Sequence, residues 1–222
     1  MSKDHLKKLL NGFGSNVKFE QDLKKKTWFN IGGKSKVFYK ADNLKDLINF
    51  IKKLDNKERI FVLGAGSNTL ITDNLFDGVI IKLSKNFNKI SLLGEDIIIA
   101  GSGVLDKHLS DFAIENNLSG FEFLSCIPGT IGGGIRMNAG CFGSEFKDIL
   151  ISIQAIDKLG NIITILSKDI KFEYRNNNLS EDLIFLSASF KGKKLKKKLI
   201  IEKTNHLKKE KDRNQPTKIK TS

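Results

Sequence analysis

A mixed α and β fold is predicted for this 222-residue chain, on three observations. Stretches with the helical period alternate with short runs rich in Ile, Val and Phe, the pattern of helices and strands interleaved along one chain. Two glycine-rich segments, Leu63–Asn68 and Leu118–Gly143, interrupt that pattern. Turn pairs at Gly94-Glu95 and Gly160-Asn161 each separate two apolar runs, as hairpin turns do.

Residues 3–24 read as one or two polar helices with Leu6, Leu9 and Leu10 as the packing side. Lys36–Ala41 is a strand. Asn43 then caps a helix whose Leu44, Leu47, Ile48, Ile51 and Leu54 share one face. The strand Ile60–Leu63 delivers the Leu63–Asn68 turn, and Gly78–Leu83 is a further strand, which together make a small α/β lobe. A second lobe begins near Lys85. It opens with the hairpin Lys89–Leu93 and Asp96–Ala100, followed by a helix with Leu105, Leu109, Phe112 and Ala113 inward. Beyond the glycine-rich stretch, Ile151–Asp157, Ile162–Leu166 and Leu183–Phe190 are antiparallel strands. The residues after Gly192 form a solvated helix that stops at Pro216. The expected units are 1–84, 85–192 and 193–222.

The net charge of +13 would suggest a nucleic-acid partner if it were spread over a folded face. Residues 191–222, however, hold 13 Lys/Arg against 3 Asp/Glu, a balance of +10, so the body is nearly neutral and no nucleic-acid surface is expected. No stretch approaches the ~20 apolar residues of a membrane span, and the N-terminus has no signal-like apolar run, so a soluble cytoplasmic protein is expected. Cys126 and Cys141 lack metal-ligand spacing and read as reduced thiols; no metal is implied. His5, His108 and His206 fall on helices without partners and read as surface residues.

The chemistry concentrates in the glycine-rich segments. Leu118–Gly143 holds 7 of the 19 glycines, and glycine lets a main chain approach a ligand and turn successive N–H groups toward one anion. A run of tight turns packed in a core would have the same composition. The turn Gly64-Ala65-Gly66-Ser67-Asn68 after a strand offers free N–H groups and two short polar side chains to a diphosphate. It is not a Rossmann fingerprint, because Thr69 stands where a third glycine would be needed.

TWFNIGG at Thr27–Gly33, LGAGSN at Leu63–Asn68, FLSCIPGTIGG at Phe123–Gly133, RMNAGCFGSE at Arg136–Glu145 and FEYR at Phe172–Arg175 occur in that order. In this combination the sequence resembles the UDP-N-acetylenolpyruvoylglucosamine reductases over roughly residues 20–222. The resemblance implies an α+β, two-lobed FAD-binding domain of the vanillyl-alcohol-oxidase (PCMH) type. It also implies FAD held by Gly64, Ala65, Gly66, Ser67 and Asn68 on one side and by Pro128, Gly129, Thr130, Gly132 and Gly133 on the other. Asn138, Ala139 and Gly140 would lie along the ribityl or ring portion. NADPH would be the reductant and UDP-GlcNAc-enolpyruvate the substrate, in peptidoglycan synthesis by a monomer.

Arg175 matches the catalytic arginine of that family, which would stabilise the enolate formed when hydride reaches the enolpyruvyl double bond, and Tyr174 would pack near flavin or substrate. Arg136 matches nothing diagnostic. The family continues after a QP-x-K-x-K-T segment, matched by Gln215–Thr221, into a GSxFKNP motif and a substrate domain, whereas this sequence ends at Ser222. A C-terminally truncated enzyme is therefore expected. Its proton-donor serine and C-terminal glutamate have no counterpart here, and its turnover alone should fall below a physiological rate. An FAD-binding oxidase of the same fold, or a non-catalytic flavin- or anion-binding module, remains the alternative.

Overall fold

A computed structural model of the chain describes residues 1–54 and 56–215. The stop expected at Pro216, all but the first residue of the Gln215–Thr221 segment, and Ser222 lie outside the described residues.

The chain opens with helix α1 (Lys3–Leu9), capped by the Ser2 hydroxyl, which accepts from the His5 N–H at 3.3 Å. Strand β1 (Val17–Asp22) follows, then β2 (Lys34–Ala41), α2 (Leu44–Leu54), β3 (Ile60–Val62) and β4 (Phe76–Leu83). The four strands make one sheet in the order β1-β2-β4-β3, with β4 parallel to both of its neighbours and β1 antiparallel at the edge. Val17–Asp22 corrects the helical expectation for residues 3–24. Alternate residues of this strand are half-buried and exposed, and pairing with β2 from Val17↔Tyr39 to Asp22↔Lys34 holds it extended. Its polar side chains point to solvent, as an edge strand permits. Asn43 caps α2 as expected, its Oδ1 accepting from the Asp46 N–H at 2.8 Å. Phe50 joins the apolar face and is fully buried, stacked on Tyr39 with ring centroids 3.8 Å apart, a burial worth about 1.5–3 kcal/mol.

The second sheet has the order β11-β10-β12-β6-β5 and is antiparallel throughout. It is built from β5 (Ile90–Leu93) and β6 (Ile97–Gly101), and later from β10 (Leu150–Ile156), β11 (Ile162–Leu166) and β12 (Ile184–Lys191). Between these groups lie α3 (Asp106–Glu115), the short strand β7 (Leu118–Ser119), a 3-10 turn at Glu122–Cys126, α4 (Ile131–Arg136) and the small hairpin β8 (Gly140–Cys141) with β9 (Ser144–Glu145). Leu105 is not on the inner face of α3. It precedes the helix in extended conformation and is 40% exposed, because its backbone bridges to Thr130.

After β13 (Lys193–Lys194), which pairs with β7, helix α5 (Lys197–Asn214) packs on the Glu122–Cys126 turn and on α3. It is less solvated than its composition suggests. Ile200 and Thr204 are buried, Lys197 pairs with Glu115 at 2.6 Å, and Lys211 donates to the Cys126 carbonyl at 2.7 Å. No described helix is long and apolar enough to cross a membrane, and no described cluster of His, Cys, Asp and Glu could hold a metal.

Candidate functional site

The Leu63–Asn68 turn leaves β3 at the end where Leu63 still donates to Ile81 of β4. Gly66 sits at φ +69°, and a Cβ there would fall 2.5 Å from the Lys26 carbonyl oxygen and 3.0 Å from the Thr27 Cα. Only glycine fits both the dihedral and the approach. The contact locks the turn against Thr27–Gly33, since Trp28 N–H donates to the Gly66 carbonyl at 2.9 Å. On the other side, a Cβ on Gly64 would come within 2.7 Å of the Thr130 Oγ1, so the structure brings the two sequence-predicted loops together at Gly64 and Thr130.

Within this junction the main-chain N–H groups of Gly64, Ala65, Gly66, Ser67 and Asn68 donate to no described residue. Neither do those of Thr130 and Gly133. Gly66, Ser67 and Thr130 are buried while Asn68 and Gly133 are exposed, and main-chain N–H groups with no partner in the protein are free to bind an anion. Ser67 and Thr130 are each 8% exposed. By contrast, Gly129 N–H donates to Ile127 at 3.1 Å and Gly132 N–H to Ser102 at 2.9 Å, so these two glycines build the loop rather than offer donors.

Two charged residues that the sequence did not mark stand at this junction. Lys82, from the end of β4, donates through Nζ to the Gly64 carbonyl. Burial holds its ammonium below the ordinary lysine value, and the nearby charge of Lys26 adds to that; no described carboxylate pairs with it. Asp106, at the start of α3, is fully buried with both carboxylate oxygens unpaired, and Oδ2 lies 2.6 Å from where a Gly129 Cβ would be. Burial pushes its pKa well above the ordinary value, which favours the protonated carboxyl under the second loop.

Helix α4, ~9 Å long at 1.5 Å per residue, leads from this junction to a second cluster. Arg136 closes it by donating to the carbonyls of Leu179 at 3.3 Å, Ser180 at 2.9 Å and Leu183 at 2.7 Å, with its guanidinium 4.2 Å from the centre of the Phe185 ring. Asn177, fully buried, donates to the Ile135 carbonyl at 3.1 Å. These bonds fasten the 170–183 loop, which carries Arg175, to the glycine-rich stretch.

Arg175 occupies the third position of a tight turn in which Asn176 N–H returns to the Glu173 carbonyl, and it does so at φ +57°. A side chain in that region is uncommon, and such strain gathers at functional positions. Its guanidinium donates from Nη1 and Nη2 to the Gly140 carbonyl, each at 3.3 Å, and lies 5.4 Å from the Tyr174 ring. Tyr174 is 83% exposed, so its ring packs on Arg175 at the surface. Both residues line a cavity of about 400 Å³ with Gly140, Cys141 and Glu145. Asn138 lies behind it, 1% exposed: its amide donates to Glu145 at 2.9 Å and to the Glu173 carbonyl at 3.3 Å, and its Oδ1 accepts from Lys147 N–H at 3.1 Å. Ala139 N–H is bonded to Gly134 at 2.8 Å. The side chain of Asn138 and the N–H of Ala139 are thus committed within the protein.

Comparison with known proteins agrees with this geometry. A family profile described as FAD binding domain matches residues 35–166. The UDP-N-acetylenolpyruvoylglucosamine reductase of Pelagibacter ubique (strain HTCC1062) is 61% identical over the whole chain, which covers 74% of that protein. That of Rickettsia typhi (strain ATCC VR-144 / Wilmington) is 45% identical over 92% of the chain and 69% of the relative. Among solved structures, the UDP-N-acetylenolpyruvylglucosamine reductase (MurB) from Thermus caldophilus superposes with a TM-score of 0.76 at 26% identity, over 88% of this chain and 68% of that one. p-Cresol methylhydroxylase shares the fold, with a TM-score of 0.65 at 16% identity over 88% of this chain and 44% of that one. Two facing glycine-rich loops, a strained arginine at the far end of the same stretch, and relatives matched along most of their length place the chain in the UDP-N-acetylenolpyruvoylglucosamine reductase family, on an FAD-binding α+β fold.

Proposed function

We propose that the chain binds FAD noncovalently and serves the NADPH-dependent reduction of UDP-GlcNAc-enolpyruvate to UDP-N-acetylmuramate in peptidoglycan synthesis. The observation that carries the cofactor assignment is the row of unpaired N–H groups at Gly64–Asn68, joined by those of Thr130 and Gly133 and backed by Lys82. A diphosphate satisfies all of these at once: it accepts from the N–H groups, and its negative charge offsets the desolvated Lys82 ammonium. The burial that raises the Asp106 pKa lessens the negative charge this group sets against it. FAD, when bound, supplies hydride transfer from NADPH to the enolpyruvyl double bond.

The protein's part at the reacting end falls to Arg175. Hydride addition develops further negative charge on the carbon next to the substrate carboxylate, delocalised into it as an enolate, and a planar guanidinium held at that carboxylate stabilises this more highly charged transition state more than the ground-state carboxylate. The paired bonds from Nη1 and Nη2 to Gly140 fix the fork while leaving other N–H donors for the substrate. Tyr174, on the same cavity, contributes a wall for the substrate. Pro128, Gly129 and Gly132 shape the second loop, and the backbone of Asn138, Ala139 and Gly140 borders the path from the diphosphate to Arg175.

We take 1–84 and 85–192 as the two lobes that hold FAD and 193–222 as the basic helical segment behind them, in a cytoplasmic monomer with no nucleic-acid partner. The test has two stages. Flavin absorbance that copurifies with the 222-residue chain, and disappears in Gly66→Asp, supports the cofactor site; stoichiometric flavin retained in that variant overturns it. NADPH oxidation dependent on UDP-GlcNAc-enolpyruvate is then measured on this chain and on the chain extended with the remaining length of the Pelagibacter ubique relative. Flavin reduction by NADPH with no response to the UDP-sugar in the extended chain would refute the substrate assignment.

A further inference from the structure

Asn138 follows α4 in the left-handed region, at φ +40°, and is 1% exposed. Its side chain is fully engaged. The amide nitrogen donates to Glu145 Oε2 at 2.9 Å and to the Glu173 carbonyl at 3.3 Å, which takes up both of its hydrogens, and Oδ1 accepts from the Lys147 N–H at 3.1 Å. These partners fix the amide one way round, since the opposite orientation would set Oδ1 against two oxygens.

The bond to Glu173 gains its meaning from where that carbonyl lies. Glu173 stands two residues before Arg175, and its carbonyl also accepts from the Asn176 N–H at 3.3 Å, closing the turn that holds Arg175 at φ +57°. In return, the Arg175 guanidinium donates to the carbonyl of Gly140, two residues after Asn138. Segments 138–140 and 173–175 are therefore laced in both directions, each sending one side chain to a carbonyl of the other. One bond sets the place of the turn, and the other sets the direction of the guanidinium fork.

We propose that Asn138 is a positioning residue, which acts on the reaction through Arg175 by holding the Glu173–Asn176 turn against the β8–β9 hairpin. That role presupposes the proposed function, in which Arg175 meets the substrate carboxylate. Because Asn138 is buried, little water reaches its amide to compete for these bonds. Glu145, which also pairs with Lys147 at 2.8 Å, anchors the amide nitrogen and keeps the side chain from turning away from the turn. Asparagine also takes a left-handed φ more readily than most side chains do, so the bond is made with little backbone strain. With the amide committed in this way, Asn138 has no free side-chain donor for the flavin, and its contribution passes through the place of Arg175. A displacement of ~1 Å in a group that must meet its target in one geometry is enough to cost on the order of 10²-fold in rate.

Asn138→Gly is the test variant, because glycine keeps φ +40° without strain while losing all three side-chain bonds. The first readout uses the 222-residue chain and an arginine-specific protease. Cutting after Arg175 should run about 2–10-fold faster than in wild type, the equivalent of one hydrogen bond lost from the turn. Cutting after Arg59, just before β3, should keep its rate. The second readout uses the extended chain with NADPH and UDP-GlcNAc-enolpyruvate. Asn138→Gly should lower kcat about 10–100-fold with KM for NADPH unchanged, and should add less than about twofold to the loss already caused by Arg175→Ala. Unchanged cutting after Arg175, equal acceleration at Arg59, an unchanged kcat, or a loss that multiplies with that of Arg175→Ala would each overturn the proposal. Full activity in Arg175→Ala would refute the reading of Arg175 and with it the catalytic part of the proposal, whereas the protease rates decide on their own whether Asn138 holds the turn.

Discussion

Gly66→Ala tests the junction of the two loops most directly, because the structure separates its two penalties. At φ +69° an alanine takes the left-handed region at a cost of about 1–2 kcal/mol. Its Cβ would also fall 2.5 Å from the Lys26 carbonyl oxygen and 3.0 Å from the Thr27 Cα, both backbone atoms that cannot rotate away, which adds about 1–3 kcal/mol of overpacking. Gly94→Ala is the internal control. Gly94 turns the β5–β6 hairpin at φ +62°, and nothing lies within 4 Å of the place its methyl group would take, so only the first penalty applies. At roughly 2–4 °C per kcal/mol for a chain of this size, Gly66→Ala should melt about 4–20 °C below wild type and Gly94→Ala about 2–8 °C below it. Scanning calorimetry with and without FAD provides the second comparison. At a hundredfold excess of FAD over Kd, binding adds ~2.7 kcal/mol, or about 5–11 °C, to the wild-type chain. Gly94→Ala should keep that increment and Gly66→Ala should lose most of it, since relief of the clash moves the N–H row. Equal melting losses in the two variants, or an undiminished FAD increment in Gly66→Ala, would refute the reasoning.

Lys82→Met should lower FAD affinity about 10–200-fold, the loss of a hydrogen bond to a charged group, while the FAD-free chain becomes more stable at neutral pH. Burial depresses the folded-state pKa of Lys82, so the unfolded chain holds that proton more tightly. The wild-type FAD-free chain should therefore gain stability as pH rises from the depressed value toward 10.5, a slope that Lys82→Met removes, as urea titrations across that window would reveal. Asp106 behaves in the opposite sense. Its raised folded-state pKa makes stability greatest below the ordinary carboxylate value of 3.8 and lower as pH climbs toward the folded-state value. Asp106→Asn should thus flatten the pH profile of the melting temperature and raise it at neutral pH; an unchanged profile would mean the carboxyl has a partner. Arg175→Lys should reduce kcat about 10²–10³-fold in the extended chain, with FAD affinity within about twofold of wild type, because the site loses its fork but not its flavin loops.

The glycine-rich turns and most strands were legible because their signals are local. Asn43 caps its helix through a side chain three residues from its partner, and the Gly94-Glu95 and Gly160-Asn161 pairs turn hairpins that close on themselves. What escaped depended on distant partners. Val17–Asp22 carries Lys18, Glu20 and Asp22 on one side and reads as polar helix until β2 pairs with it. Lys82 is one lysine among many in the sequence. Only the parallel register of β3 and β4, Val62 opposite Ile81, puts it beneath Gly64. Arg136 likewise has no motif, since the carbonyls it holds lie 43–47 residues further on. The basic C-terminal helix was readable as a helix but not as a packed one, because Ile200 and Thr204 meet partners supplied by the middle of the chain.

The apolar cluster around Tyr39 and Phe50 draws on both sheets: Val37, Val79 and Ile81 come from the first, and Ile156, Ile184 and Leu186 from the second. Each of these side chains is buried, so the two sheets are faces of one solid body rather than two jaws. A hinge between them would have to expose that cluster to water.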